Sequence, residues 1–145
     1  MTWYNNAEGR HGANGAKGDL GEEIVEEYCR GNNIPCEPKK DRHSQVTLKI
    51  DYVIDGTPID VKSNYYMGKL AVELFLQKKQ KPGWLFTTSA KQIYGVDVDT
   101  KSIYRYNIED MIQHVTQNKH RAKRTKHGDV IMWVSVKETF IESLQ

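Results

Sequence analysis

Cysteine is close to absent: Cys29 and Cys36 are the only two among 145 residues. Two cysteines cannot staple a domain of this size, and their spacing matches no zinc-binding pattern. Cys29 falls on an apolar helical stripe, so a reduced, buried thiol in a reducing compartment is expected. Long apolar runs are absent as well. No stretch approaches the roughly 18–20 consecutive apolar residues of a membrane span, and the first residues lack the basic-then-apolar order of a secretory leader. Strong net charge is missing too, at +2. Order-forming residues are not missing: Val, Ile, Leu and aromatic side chains recur in periodic blocks, which excludes low-complexity disorder. What remains is one soluble domain, long enough for a single core.

The charge that is present is unevenly placed. Residues 1–72 hold 9 Lys/Arg against 11 Asp/Glu, whereas residues 73–145 hold 12 against 8. Between Ile112 and Gly128 there is no acid, yet Lys119, Arg121, Lys123, Arg124 and Lys126 crowd together among histidines. Such a segment is either a solvated loop or a surface that neutralises a polyphosphate backbone. None of the five histidines shows ligand spacing. Glycines recur at positions 9, 12, 15, 18 and 21, too briefly and too poor in proline for collagen. Residues 1–17 therefore read as a flexible glycine-rich arm, and 18–145 as the single folded domain.

Asp19 is expected to cap a helix over about 20–30, ended by Gly31-Asn32-Asn33. Its apolar face is Leu20, Ile24, Val25, Tyr28 and Cys29, with Glu23 and Glu26 towards water and Glu22 on the border. Residues 46–54 alternate at strand period, Asp55-Gly56 is a two-residue hairpin turn, and residues 57–62 return antiparallel. Further strands are expected at 70–76, 84–88, 92–98, 102–106 and 130–136, with helices at 108–115 and 137–144. Trp84 and Trp133 fall in apolar strand blocks and read as core. The class is α/β: a mixed central sheet flanked by a few helices.

The hairpin turn pairs residues whose numbers sum to 111, which sets Asp51 opposite Asp60. Like charges placed directly across a sheet destabilise it unless a cation lies between them. Oxygen ligands of this kind suit Mg²⁺ or Mn²⁺. Lys62, two residues after Asp60, projects from the same face. A solvated outer face is the bland alternative, opposed by the flanking Ile50, Tyr52, Ile59 and Val61, which make the hairpin central.

These residues resemble a known family. A helical glutamate (Gly21-Glu22-Glu23), an acid after Ile50 (Asp51) and an acid-x-lysine (Asp60-Val61-Lys62) resemble the PD-(D/E)XK, restriction-endonuclease-like nuclease superfamily. That group includes Holliday-junction resolvases and small phage-encoded endonucleases. Ile50 replaces the proline of the motif's name, and Asp60 stands where glutamate is commoner. The resemblance implies a metal-dependent DNA endonuclease of the cytoplasm of a bacterium or phage-infected cell. Asp51, Asp60 and the Val61 carbonyl would hold Mg²⁺ or Mn²⁺, Lys62 would orient or deprotonate the attacking water, and Glu22 would complete the metal shell. Glu73, on a following strand, is either an accessory acid or an ordinary strand charge. Lys119, Arg121, Lys123, Arg124 and Lys126 would grip DNA phosphates, with the glycine-rich arm wrapping a duplex. Cutting both strands of duplex or branched DNA implies a homodimer. A non-catalytic nucleic-acid-binding module, or an RNA- or single-strand-directed nuclease, uses the same residues in other ways.

Overall fold

In the computed structural model, which describes residues 13–144, Asp55 and Gly56 both adopt positive φ, 48° and 83°. This twist suits a two-residue hairpin, and it closes β2 (Tyr52–Ile54) on β3 (Thr57–Lys62) in the expected register. The partners are Tyr52↔Ile59, Val53↔Pro58 and Ile54↔Thr57. On one side β2 pairs with β1 (Cys36–Pro38); on the other β3 runs parallel to β7 (Gln92–Asp97), with Asp60↔Ile93 and Lys62↔Gly95. The sheet continues through β8 (Ser102–Asn107) to β11 (Ile141–Ser143), so six strands lie in the order β1-β2-β3-β7-β8-β11.

The α/β class with a mixed central sheet flanked by helices is thus the observed one. Helix α1 (Ala13–Gly31) covers one face of the sheet, where Val25 and Cys29 pack on Tyr52, Ile54, Ile59, Tyr94, Val96 and Ile103. Burial by this packing pushes the Cys29 thiol up to about 12, with the neighbouring Cys36 adding to it; both cysteines are free. A second sheet covers the other face. Its strands are β4 (Tyr65–Tyr66), β5 (Lys69–Leu76), β10 (Val130–Ser135) and β9 (Lys123–Arg124) in that order, with β6 (Lys81–Pro82) also on β5. Between the sheets, with helices α2 (Trp84–Thr87) and α3 (Ile108–Gln117), lie Leu70, Val72, Leu85, Ile93, Tyr106, Met111 and Met132. Among the described residues no helix is long and apolar enough to cross a membrane.

Several elements differ from the sequence reading. Helix α1 already runs at Ala13, so residues 13–17 are helical, Asp19 is not its cap, and the arm's first twelve residues lie outside the described residues. Leu20 is exposed and Glu26 is not free in water: the buried stripe is Gly21, Val25 and Cys29, and Glu26 accepts a hydrogen bond from the buried Tyr52 hydroxyl. The alternation at 46–50 forms no strand. His43–Leu48 is a π-helical turn, nucleated where the Asp41 carboxylate accepts from the Ser44 N–H (3.0 Å) and hydroxyl (2.8 Å). Residues 84–88 hold the short helix α2 rather than a strand, because a brief apolar run does not distinguish the two. Residues 141–143, expected in a helix, instead pair with β8 as an edge strand, fastened by Arg105 and Glu142 at 2.5 Å. Trp84 is core, whereas Trp133 is half-buried against Tyr66.

Candidate active site

Asp60 is held by a central strand and is 4% exposed. Its Oδ2 accepts no hydrogen bond, and the Lys62 Nζ lies 3.5 Å from it. Burial drives the Asp60 carboxyl up to about 8; Lys62 opposes the shift, and the adjacent Asp51 carboxylate reinforces it. Two carboxylates this close resist ionising together. Asp51 sits just before β2 rather than within its ladder. Its N–H donates to the Ile59 carbonyl (2.9 Å), its carbonyl accepts from the Lys39 N–H (2.8 Å), and its Oδ2 accepts the Val61 N–H (2.8 Å). Backbone bonds therefore lock its carboxylate against the start of Asp60-Val61-Lys62.

The opposition read from the hairpin survives in this altered form. Both acids open into a cleft of about 370 Å³, and Val61, Lys62, Glu22 and Glu73 line it too. Glu22 arrives from α1, which comes close to the sheet because Gly21 lies against Ser63 and Val96, where a Cβ would crowd the Ser63 side chain. The Glu22 carboxylate is engaged by Lys40 at 2.7 Å, with the Tyr52 hydroxyl at 3.4 Å. Glu73 belongs to this wall rather than to an exposed strand face. Burial raises its pKa, with Lys62 the main opposing charge. Gly83 allows this, since its backbone packs on the Glu73 carbonyl with no space for a side chain.

The structure thus brings Glu22, Asp51, Asp60, Lys62 and Glu73 to one cleft. It does not bring Lys119, Arg121, Lys123, Arg124 or Lys126 there; Arg121 lines a separate cleft with His114 and Glu138. Besides Lys62, the cations that line it are ones that sequence reasoning passes over: Lys49, Lys79 and Lys81. Burial lowers the Lys49 pKa, with Lys81, Lys62 and Lys79 pushing the same way. The basic run 77–83 is the available signal, but nothing local shows that it folds back over the acids. Trp84 also has a role beyond core packing: its ring lies 5.1 Å from the Lys62 Nζ, a cation–π contact that aims the amine.

As a cation site the cleft has a defined donor set. Among the described residues no three His, Cys, Asp or Glu side chains gather closely enough to hold a metal, and Glu22 pairs with Lys40 instead. What fits a hard divalent ion is the Asp51–Asp60 pair, one of whose buried oxygens lacks any hydrogen-bond donor.

No family model matches the chain. No curated protein matches it either. Among solved structures, the bacterial homing endonuclease I-Ssp6803I is similar in fold, with a TM-score of 0.51. The two are 15% identical, and the match covers 88% of this chain and 79% of that one. At that identity the likeness is one of fold.

Proposed function

We propose that the protein is a divalent-metal-dependent DNA endonuclease of the PD-(D/E)XK type that hydrolyses phosphodiester bonds at the Asp51–Asp60–Lys62 cleft. The observation that carries this reading is Asp60: a central-strand carboxyl, buried, with an oxygen that no hydrogen bond reaches and only the Lys62 amine approaches, beside a second carboxylate. Such an arrangement costs stability unless it is used. The fold likeness to a homing endonuclease supports the same class.

Asp51, Asp60 and the Val61 carbonyl would hold Mg²⁺ or Mn²⁺, which supplies Lewis-acid polarisation of a phosphate and acidification of a bound water. Lys62, steadied over Trp84, stands where it can orient a water or balance charge on the phosphorane oxygens. Glu22 is held by Lys40 at the cleft wall, and Glu73, buried in the same wall, stands as an accessory acid. A homodimer would present two such clefts to two strands.

The test is incubation of plasmid and four-way-junction DNA with Mg²⁺, with Mn²⁺ and with EDTA. Cleavage is expected with either metal and none with EDTA. Asp60→Asn and Lys62→Ala should each reduce it by at least about a hundredfold while the fold persists, as expected for groups acting on developing charge. Full cleavage by both variants would remove the assigned roles. One observation favours a second reading, a nucleic-acid-binding module without turnover: Glu22 is already paired, so only two carboxylates remain for a metal. Binding without cleavage under any metal would establish it.

A further inference from the structure

Three lysines of the cleft have no part in the chemistry above. Lys49 follows the π-helical turn in the left-handed region, at φ 57°. Its carbonyl accepts the Thr88 hydroxyl at 3.1 Å, and the Leu48 carbonyl accepts the Ser89 N–H at 2.8 Å. A non-glycine residue pinned in this region is strained, and such strain collects where a side chain must be placed for use. Lys49 Nζ donates to the Val46 carbonyl at 3.3 Å, which leaves N–H groups free for a ligand. Lys79 comes from the turn of the β5–β6 hairpin and Lys81 from β6 itself. Among the described residues none of the three makes an ion pair, although acids line the same cleft. Cations gathered at one cleft outside any ion pair gain by binding a polyanion.

The hairpin also reaches beyond the cleft. The Gln77 N–H donates to Asp129 Oδ1 at 2.8 Å, and the backbone of Gly128 (φ 92°) lies against the Gln77 side chain where a Cβ would collide. Asp129 adjoins the turn that follows β9, whose Lys123 and Arg124 are exposed and pair with Ile131 and Val130. Two basic segments, distant in sequence, are therefore tied together at one end of the second sheet.

We infer that Lys49, Lys79 and Lys81 form a seat for backbone phosphates of duplex DNA, and that this track continues over the tethered hairpin to Lys123 and Arg124. The inference rests on the nuclease reading for the identity of the cleft, but it concerns binding alone. Several ammonium groups that continue from a cleft onto a tethered hairpin fit a repeating phosphodiester better than one small anion, and they position without reading sequence.

The test is fluorescence anisotropy with a labelled linear duplex in EDTA, titrated with NaCl. Charge removal at both hairpin lysines, Lys79→Gln with Lys81→Gln, should make the slope of log affinity against log salt shallower by about 1.8, or about 0.9 for each phosphate no longer neutralised. Lys49→Gln and the pair Lys123→Gln, Arg124→Gln should each weaken binding as well, with melting temperatures unchanged. Lys137→Gln, beyond the opposite end of β10, is the control and should leave the slope as in the wild type. An unchanged slope in the hairpin variant, an equal loss in the Lys137 control, or no duplex binding by the wild type overturns the seat. Cleavage with Mg²⁺ is scored separately. Lysine-dependent binding without cutting keeps the seat and removes the nuclease, whereas cutting with unchanged slopes does the reverse.

Discussion

Asp60 puts the tension between folding and chemistry at a single residue. Its folded pKa of about 8 lies above its ordinary 3.8, so between those values the folded chain keeps a proton that the unfolded chain has lost. The metal-free protein therefore loses stability as pH rises through that window, and its stability levels off above it. Asp60→Asn, which removes the ionisable group and keeps the shape, should match the wild type near pH 4. By pH 8, in EDTA, it should melt several degrees higher, the equivalent of a few kcal/mol. A thermal melt at each pH checks this, and a variant no more stable at pH 8 would show that burial does not press on the carboxyl. Adding Mg²⁺ at pH 8 should raise the melting temperature of the wild type and leave Asp60→Asn unmoved, because a ligand stabilises only the state that binds it. Equal shifts in the two proteins would place the ion elsewhere.

Strand β7 governs how the second sheet meets the first. Gly95 lies opposite Lys62, and the space a side chain would take is filled by the Tyr65 hydroxyl and the Tyr106 ring. The two tyrosine hydroxyls bond each other there, and burial raises both pKa values. Gly95→Ala should thus cost about 1–3 kcal/mol of unfolding free energy in urea, the usual range for overpacking a filled core. An unchanged midpoint would mean the tyrosines give way freely. The register of β5 shifts between Val130 and Ile131 of its partner, so that Leu74 is the extra residue beside Glu73.

At the scale of the whole molecule, the two cores divide the labour. The α1 side holds the hairpin rigid, while the second sheet brings Glu73, Lys79 and Lys81 over its acidic end. One chain offers one such acidic cleft, and on the proposed endonuclease reading two strands of a duplex would be met by two chains. Sedimentation equilibrium should give twice the mass of the chain. A monomer that linearises plasmid in one encounter would require another route to the second strand.

Local chemistry alone settled the hairpin. Asp55-Gly56 tolerates positive φ at both positions, so the register followed from counting, and with it the meeting of Asp51, Asp60 and Lys62. The Val25 and Cys29 positions of α1 and the β7–β8 hairpin were legible for the same reason, whereas Leu20 of the expected face is exposed: period and turn residues are properties of neighbours in sequence. Other features belong to no single segment. Residues 46–50 alternate like a strand but found no partner, residues 141–143 became a strand because β8 had an open edge, and Glu26 left the water for the Tyr52 hydroxyl. Lys49, Lys79 and Lys81 look like ordinary surface charge until packing folds them over the acids. Which acids meet beside Lys62 was therefore written in the order of residues along one hairpin. What surrounds them was set only when the two sheets packed, because burial and the identity of distant neighbours do not exist before that step.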